Sequence, residues 1–333
     1  MKTKSKQLKP VQSVAVLCSG GDAPGMNAAL RAVVRYGIHH GLEVYGVYKG
    51  YSGLLEGNIE EMTLRSVANI IQRGGTILKT DRCKAFFEKA VRAEAVNILR
   101  RKKIDALVVV GGEGSFTGAH LMGKENDYPT VGIPGTIDND VYGSEYTIGF
   151  DTAVNTALDA IDKIRDTASS HDRVFLVEVM GRTSPEIAVR VGLSGGAETI
   201  IVPEQASSSS IDDLIGTLKR SAEQGKMSSI VIVAEGAKPG SYKLAKELKK
   251  RAKIDARVAI LGHIQRGGSP SAMDRYMASI MGAEAVQAVI EHKSDLAIGL
   301  VDGKIARIPF KHVMGKHKKA DRGLLKLAEI LAS

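Results

Sequence analysis

Short runs rich in valine and isoleucine punctuate this chain, and several pass straight into a glycine-bearing loop and then into a helical pattern. The runs are Val14–Cys18, Ala106–Val110, Thr130–Ile133, Val174–Val179, Thr199–Val202, Ile230–Ala234 and Val258–Leu261. Apolar runs this short, without polar alternation, fit strands buried on both faces of a parallel sheet. A strand–loop–helix alternation of this kind winds into an α/β unit whose ligands sit at the carboxyl ends of the strands. With 333 residues the chain exceeds one compact domain, so the expected fold is α/β with two doubly wound, mostly parallel-sheet domains. The chain is expected to cross between them more than once: residues 11–149 with about 266–310 in one, 150–265 with about 311–333 in the other.

Two helices are legible in the spacing. Met26, Ala29, Leu30, Val33 and Val34 form one apolar stripe behind Pro24, with Arg31 and Arg35 on another face. Val154, Leu158, Ile161 and Ile164 form a second stripe, predicting a helix from about Thr152 to Asp166. The serine run Ser207–Ser210 reads as a loop leading into a helix, with Ser210 as its N-cap.

Composition narrows the function. Hydrophobic residues make up 44% and charged residues 25% of the chain, as in ordinary globular proteins. No apolar run reaches the roughly 18–20 residues of a membrane span, and the lysine-rich start lacks a signal-peptide cleavage region. The expected location is the cytoplasm, with no membrane partner. Cys18 and Cys83, the only cysteines, are read as reduced thiols without zinc-ligand spacing. The net charge of +9, from 46 basic and 37 acidic residues, fits phosphorylated small molecules better than nucleic acid, because no nucleic-acid-binding motif accompanies it. The lysines crowding both ends, Lys311–Lys319 among them, read as solvated tails.

Five polar loops follow these strands. Gly20–Met26 opens the first helix and reads either as a phosphate cradle at a helix N-terminus or as a tight strand-to-helix turn. Gly111–Ser115 repeats that logic with an acid inside it. Glu113 is either a magnesium ligand beside a phosphate or an acid favoured by the helix dipole. Pro134–Asp140 sets Asp138 and Asp140 two residues apart. One can serve as a base while the other orients metal, as phosphoryl transfer requires, and an Asx-turn is the structural alternative. Gly262–Gly268 carries His263 and Arg266, and Met180–Arg182 adds another cation, as an anionic substrate would want.

Taken together, the strings SGGDAPGMNAA, RGGT, PGTIDND, VEVMGR and LGHIQRGGSP resemble those of the ATP-dependent 6-phosphofructokinase family over about Val14 to Gly282. The resemblance implies ATP-dependent phosphorylation of fructose 6-phosphate with Mg2+, the first domain binding ATP and the second the sugar phosphate. It implies that Gly21, Arg82, Cys83, Gly112, Glu113, Gly114 and Ser115 line the nucleotide and that Glu113 and Asp140 hold the metal. Asp138 would be the base, Thr136 would steady the reacting group, and Arg182 and Arg82 would offset developing charge. Met180, Gly181 and Glu235 would contact the sugar, His263 and Arg266 its phosphate, and Arg173 and Arg257 that phosphate from a neighbouring subunit of a homotetramer. Arg31, Arg35, Arg165, Glu198 and Lys226 match an effector pocket for a nucleotide or phosphoenolpyruvate. Glycines at 114 and 135, where pyrophosphate-using relatives typically carry aspartate and lysine, imply ATP as donor.

Three departures from the family pattern stand out. Glu113 replaces the usual aspartate, Phe87 stands where relatives often carry arginine, and Thr183–Pro185 replaces a glycine-containing turn. They leave two alternatives: a regulatory paralogue that binds sugar phosphate or nucleotide, and a kinase for another sugar phosphate.

Overall fold

A computed structural model describes residues 9–169, 173–205, 208–226 and 228–332. Lys2, Lys4, Lys6 and Ser207 lie outside them.

The chain opens with β1 (Ser13–Cys18), α1 (Met26–His39), β2 (Glu43–Val47), α2 (Gly50–Leu55) and β3 (Ile59–Glu61). There follow α3 (Lys89–Arg101), β4 (Ala106–Gly111), α4 (Glu113–Asn126) and β5 (Thr130–Pro134). The chain then enters a second unit through α5 (Phe150–Ser169), β6 (Val174–Val179), α6 (Glu186–Ser194), β7 (Thr199–Ile201), α7 (Ser208–Glu223), β8 (Ser229–Ala234), α8 (Ser241–Ala252) and β9 (Ala256–Ile260). It returns with α9 (Ala272–Ile290), β10 (Leu296–Val301), β11 (Lys304–Pro309) and α10 (Phe310–Val313), and crosses again to α11 (Arg322–Ala332).

The first sheet runs β11-β10-β5-β4-β1-β2-β3 and the second β7-β8-β6-β9. All the strands predicted from valine and isoleucine runs are present and pair in parallel with their neighbours. The sequence reading missed β2, β3, β10 and β11. Glycine interrupts β2 and β10, while β3 and β11 carry exposed charged residues and pair antiparallel at the two edges of the sheet. Edge strands lack the two-sided burial that makes a strand readable as an apolar run.

Burial explains the centre. Val14 to Cys18 are wholly inaccessible, as are Ala106 to Val110, so these strands have no face that tolerates a polar residue. The α1 stripe is buried against α9, where a Cβ on Gly282 would stand 2.8 Å from the Ala29 carbonyl oxygen, so the two helices approach backbone to backbone. Gly25, with φ of +105°, makes the turn into α1, a conformation that costs a side-chain-bearing residue dearly. The second predicted helix is α5, longer than expected at both ends. Helix α7 starts at Ser208, which places Ser210 in its first turn and not at the cap.

Where the chain crosses back into the first unit, Asp274 is completely buried. Its carboxylate accepts from the Tyr146 hydroxyl (2.7 Å), the Gly149 amide (2.7 Å), the Thr152 amide (2.8 Å) and the Thr152 hydroxyl. It therefore pins the start of α9 to the start of α5. Asp274→Ala orphans these buried donors, and urea unfolding is expected to show a loss of about 3–5 kcal/mol.

Candidate active site

The carboxyl ends of β1, β4 and β5 are adjacent, so the three loops that follow them converge. The Ser115 hydroxyl donates to the Ser19 carbonyl (3.1 Å), tying the second loop to the first. Gly112 lies against Thr136, whose Cβ is 3.8 Å from where a glycine Cβ would stand, tying the second to the third. The Ser115 carbonyl accepts from the buried Tyr51 hydroxyl (2.7 Å). Tyr51 stacks on Phe86 with ring centroids 3.9 Å apart. Gly114 has open space where a side chain would begin.

Asp138 is 3% exposed, and its Oδ1 has no hydrogen-bond partner. Asp140 likewise has a buried, unpartnered Oδ1. Burial pushes the Asp138 carboxyl up from the ordinary 3.8 to about 6, with Asp140 adding to the rise and Arg266 and Arg182 opposing it. Burial also raises Asp140, against the pull of Arg182. The loop is braced around these groups. The Asp138 amide donates to Thr136 Oγ1 (3.2 Å), and Asn139, at a φ of +45°, donates through Nδ2 to Glu186 Oε2 (2.9 Å). Two buried carboxylates with unused oxygens are a poor arrangement unless a cation or a proton is to be received.

Oxygen donors of this kind suit magnesium, which takes a few carboxylates and completes its shell with water and phosphate. Among the described residues no group of three or more His, Cys, Asp or Glu side chains is arranged as a metal cage, so phosphate oxygens would have to complete the shell. Glu113 faces Asp140 closely enough to raise its pKa. One Glu113 oxygen, Oε1, accepts from the Gly315 amide (2.8 Å), so the longer arm in place of aspartate reaches the segment that crosses to α11.

The second unit and the point where the chain crosses back from it supply the cations. Arg182, at a φ of +53°, has its amide on Glu235 Oε2 (2.8 Å). Ser184 N closes a turn on the Gly181 carbonyl (2.8 Å) and Pro185 caps α6 with φ of −81°, so the proline fits the helix start that this turn makes. Arg266 reaches across to the first unit: a Cβ on Gly21 would meet its Nη1 at 2.1 Å, and that nitrogen is 3.9 Å from Asp22 Oδ1. His263, three residues earlier, is exposed.

Between them lies Gln265, which the sequence reading overlooked. It is fully buried, accepting from the Met180 amide (2.8 Å) and donating to the Ala153 carbonyl (3.3 Å). Gln265 thereby sets the Met180 loop against α5. Its signal was an uncharged polar residue on the inward side of a loop read only for its charges.

Other expected site residues lie elsewhere. Arg82 and Cys83 follow Asp81, whose carbonyl accepts from the Gly20 amide (3.3 Å), and so stand at the rim of the first loop, with Phe87 beyond them 83% exposed. Buried Arg92 fixes that rim by donating to the Phe86 and Phe87 carbonyls while pairing with Glu125 at 2.7 Å. Arg173 precedes β6 and Arg257 stands near the start of β9, beside Asp255 at 3.6 Å. Both are at the opposite end of the second sheet from Met180 and His263. Arg165 donates to the Gly195 and Gly196 carbonyls, Glu198 accepts from the Ile230 amide, and Lys226 donates to the Ala332 carbonyl. These three sit in the second unit, whereas Arg31 and Arg35 sit on α1. Cys18 is buried and its thiol pushed up to about 12, and both cysteines are free. In the basic segment Lys316–Lys319, Lys316, His317 and Lys319 are exposed, as solvated charges would be, while Lys318 is half-buried, and the segment lines a hollow of about 690 Å³ beside Glu186 and Tyr142.

Because Asp138 is raised on folding, its ionisation opposes the fold. Stability from this group is present below about pH 4, falls as pH rises toward 6, and stays lost above. Asp138→Asn is expected to raise the unfolding free energy at pH 7.5 by up to about 3 kcal/mol, with the gain vanishing near pH 4. Urea titrations at the two pH values check this.

A family profile described as Phosphofructokinase matches residues 13–289. An ATP-dependent 6-phosphofructokinase 1 of Thermus thermophilus is 50% identical over 323 residues, covering 97% of this chain and 100% of that protein. An ATP-dependent 6-phosphofructokinase of Clostridioides difficile is 50% identical over 322 residues with the same coverage. Among solved structures, the phosphofructokinase of Saccharomyces cerevisiae superposes with a TM-score of 0.86 at 37% identity. That match covers 96% of this chain, which spans 46% of the yeast one. A pyrophosphate-dependent phosphofructokinase from Marinobacter aquaeolei shares the fold, with a TM-score of 0.81 at 22% identity over 93% of this chain and 86% of that one.

Proposed function

Since the chain belongs to the phosphofructokinase family, we propose that it transfers the γ-phosphoryl group of ATP to the 1-hydroxyl of fructose 6-phosphate, with Asp138 as the base. The product is fructose 1,6-bisphosphate, and the step commits the sugar to glycolysis. The observation that carries the assignment of the base is the buried, unpartnered Asp138 Oδ1 with two arginines bearing on it. Asp138 accepts the hydroxyl proton as the hydroxyl oxygen bonds to the γ-phosphorus and the bond to ADP breaks. Arg82 and Arg182 offset the charge that spreads over the transferred group, and Thr136 steadies it. Gly21 and Gly112–Ser115 cradle the nucleotide, with Cys83 at its rim. Met180, Gly181 and Glu235 bind the sugar, and His263 and Arg266 its phosphate. Glu113 and Asp140 would hold Mg2+ together with phosphate oxygens, and the ion would supply neutralising charge at the transferring group.

In this reading the first unit, with residues 11–149 and about 266–310, binds ATP, and the second binds the sugar phosphate. Strand β6 is six residues long, about 20 Å, which separates Arg173 from the Met180 end of the same sheet. This supports a homotetramer in which those arginines serve a neighbour's site. Arg31 and Arg35 would then meet Arg165, Glu198 and Lys226 across subunits around a nucleotide or phosphoenolpyruvate effector. The reaction is assigned to the cytoplasm, and among the described residues no helix is long and apolar enough to cross a membrane.

Purified protein with ATP, Mg2+ and fructose 6-phosphate is expected to form ADP, and Asp138→Asn to lose about a thousandfold or more in kcat. No turnover with fructose 6-phosphate still bound would replace this reading with that of a regulatory paralogue. The wild-type kcat/KM should fall tenfold per pH unit below about pH 6, following the raised Asp138 carboxyl.

ATP preference is testable separately. A Cβ on Gly114 meets nothing within 4 Å, so Gly114→Asp should fold normally while its carboxylate repels the nucleotide. Steady-state assays are expected to show KM for ATP raised about tenfold or more, with KM for fructose 6-phosphate within about twofold.

A further inference from the structure

His263 and Arg266, the expected grip on the sugar's phosphate, belong to one short 3₁₀ turn, Gly262–Arg266. In such a turn side chains three residues apart eclipse one another, so these two share one edge and Gln265 points along another. His263 is exposed, Arg266 is half-buried with its Nε unpartnered, and Gln265 is wholly inaccessible. Both partners of the Gln265 amide group are main-chain atoms. Oε1 accepts from the Met180 amide (2.8 Å) and Nε2 donates to the Ala153 carbonyl (3.3 Å).

Those partners lead to the rest of the site. Met180 opens the loop that carries Gly181 and Arg182, and the Arg182 amide is held by Glu235 (2.8 Å). Ala153 lies in the first turn of α5, and the residues just before that helix hold the Asp138 loop. The Thr147 hydroxyl donates to the Thr136 carbonyl (2.6 Å), and the Ile148 amide to the Pro134 carbonyl (2.8 Å). Beyond Arg266 the chain is stopped by another backbone. A Cβ on Gly74 would stand 2.3 Å from the Gly268 carbonyl oxygen. Buried Asn27 in turn holds that segment, donating to the Arg73 and Gly74 carbonyls (3.0 and 3.2 Å). The grip is thus wedged between fixed backbones, and the length of Gln265 sets its distance from α5 and the Met180 loop.

We propose that Gln265 is a positioning residue that fixes the span between the phosphate grip, His263 and Arg266, and the base, Asp138, and so places the acceptor hydroxyl for transfer. It acts through the backbones it joins. The proposal rests on the phosphoryl-transfer reading above.

Gln265→Asn keeps the amide on an arm one methylene shorter, and Gln265→Glu keeps the length and the oxygen that receives the Met180 amide. These, Ile264→Ala, His263→Ala and the double variant of His263→Ala with Gln265→Asn are compared with the wild type for kcat, KM and urea unfolding. Gln265→Asn is expected to lose about thirtyfold in kcat/KM for fructose 6-phosphate, as a displacement of about 1 Å can cause, with KM for ATP within about threefold. Gln265→Glu should keep kcat/KM within about fivefold, and Ile264→Ala, whose side chain is exposed, within about twofold. In the His263→Ala background Gln265→Asn should cost less than about threefold, because the placing of a grip that no longer holds is not felt. A Gln265→Asn kcat/KM within about twofold of the wild type overturns the proposal. So does an equal loss in both backgrounds, which marks a general contribution to the fold. If Gln265→Asn does not fold, Gln265→Met, of similar length but without the hydrogen bonds, goes through the same cycle with the same expectations. If the wild type binds fructose 6-phosphate without turnover, the phosphoryl-transfer reading fails instead. The coupling of Gln265 to His263 is then read by calorimetry in the Kd for fructose 6-phosphate, where additive effects overturn the proposal and non-additive ones uphold the link to the grip.

Discussion

A buried carboxylate, Asp274, holds the crossing point of the two units together. Four donors from the loop after β5 and from the start of α5 converge on it. Left uncharged or unpaired there, such a group would cost more than it returns. Ringed with donors, it fixes where one unit ends and the other begins. The placement of Arg266 and Arg182 opposite Asp138 depends on that junction, because Arg182 enters from the second unit and Arg266 from the crossing itself, while the aspartates stand on the first.

Charge is divided between the units accordingly. Glu113, Asp138 and Asp140 come from strand ends of the first sheet, Arg182 comes from the second unit, and Arg266 stands where the chain crosses back to the first. Neither half is electrostatically complete alone. The raised Asp138 carboxyl expresses the incompleteness: burial outweighs the arginines. Low-dielectric surroundings that make this arrangement costly also make the field of each cation count for more at the moment of transfer.

Much of this was legible in the sequence, for a physical reason. Central strands such as Val14–Cys18 are buried on both faces, so their composition is constrained along their whole length, and the loops after them must be glycine-rich or polar where they meet ligand. Edge strands β3 and β11 have no such constraint, and they carry charges that hide them. Asp138, Glu113 and Arg182 could be named because they stand in strings of known spacing. Gln265 and Asp274 could not be placed, because both act through burial, which shows only once the elements around them are packed. The Glu113 substitution was visible as a departure, but the Gly315 amide it reaches lies some two hundred residues away.

The three crossings between the units have a consequence for how such a chain can be altered in evolution. Helix α9 and strands β10 and β11 complete the first sheet from beyond the second unit, while α11 covers the second from beyond the first. No single cut separates the chain into two self-sufficient segments, since residues up to β5 alone would leave the α1 stripe and the free edge of β5 bare. Recombination at a domain boundary is thereby closed to this architecture. It can be copied in tandem as a whole, or changed residue by residue, but its halves cannot be traded for those of other proteins.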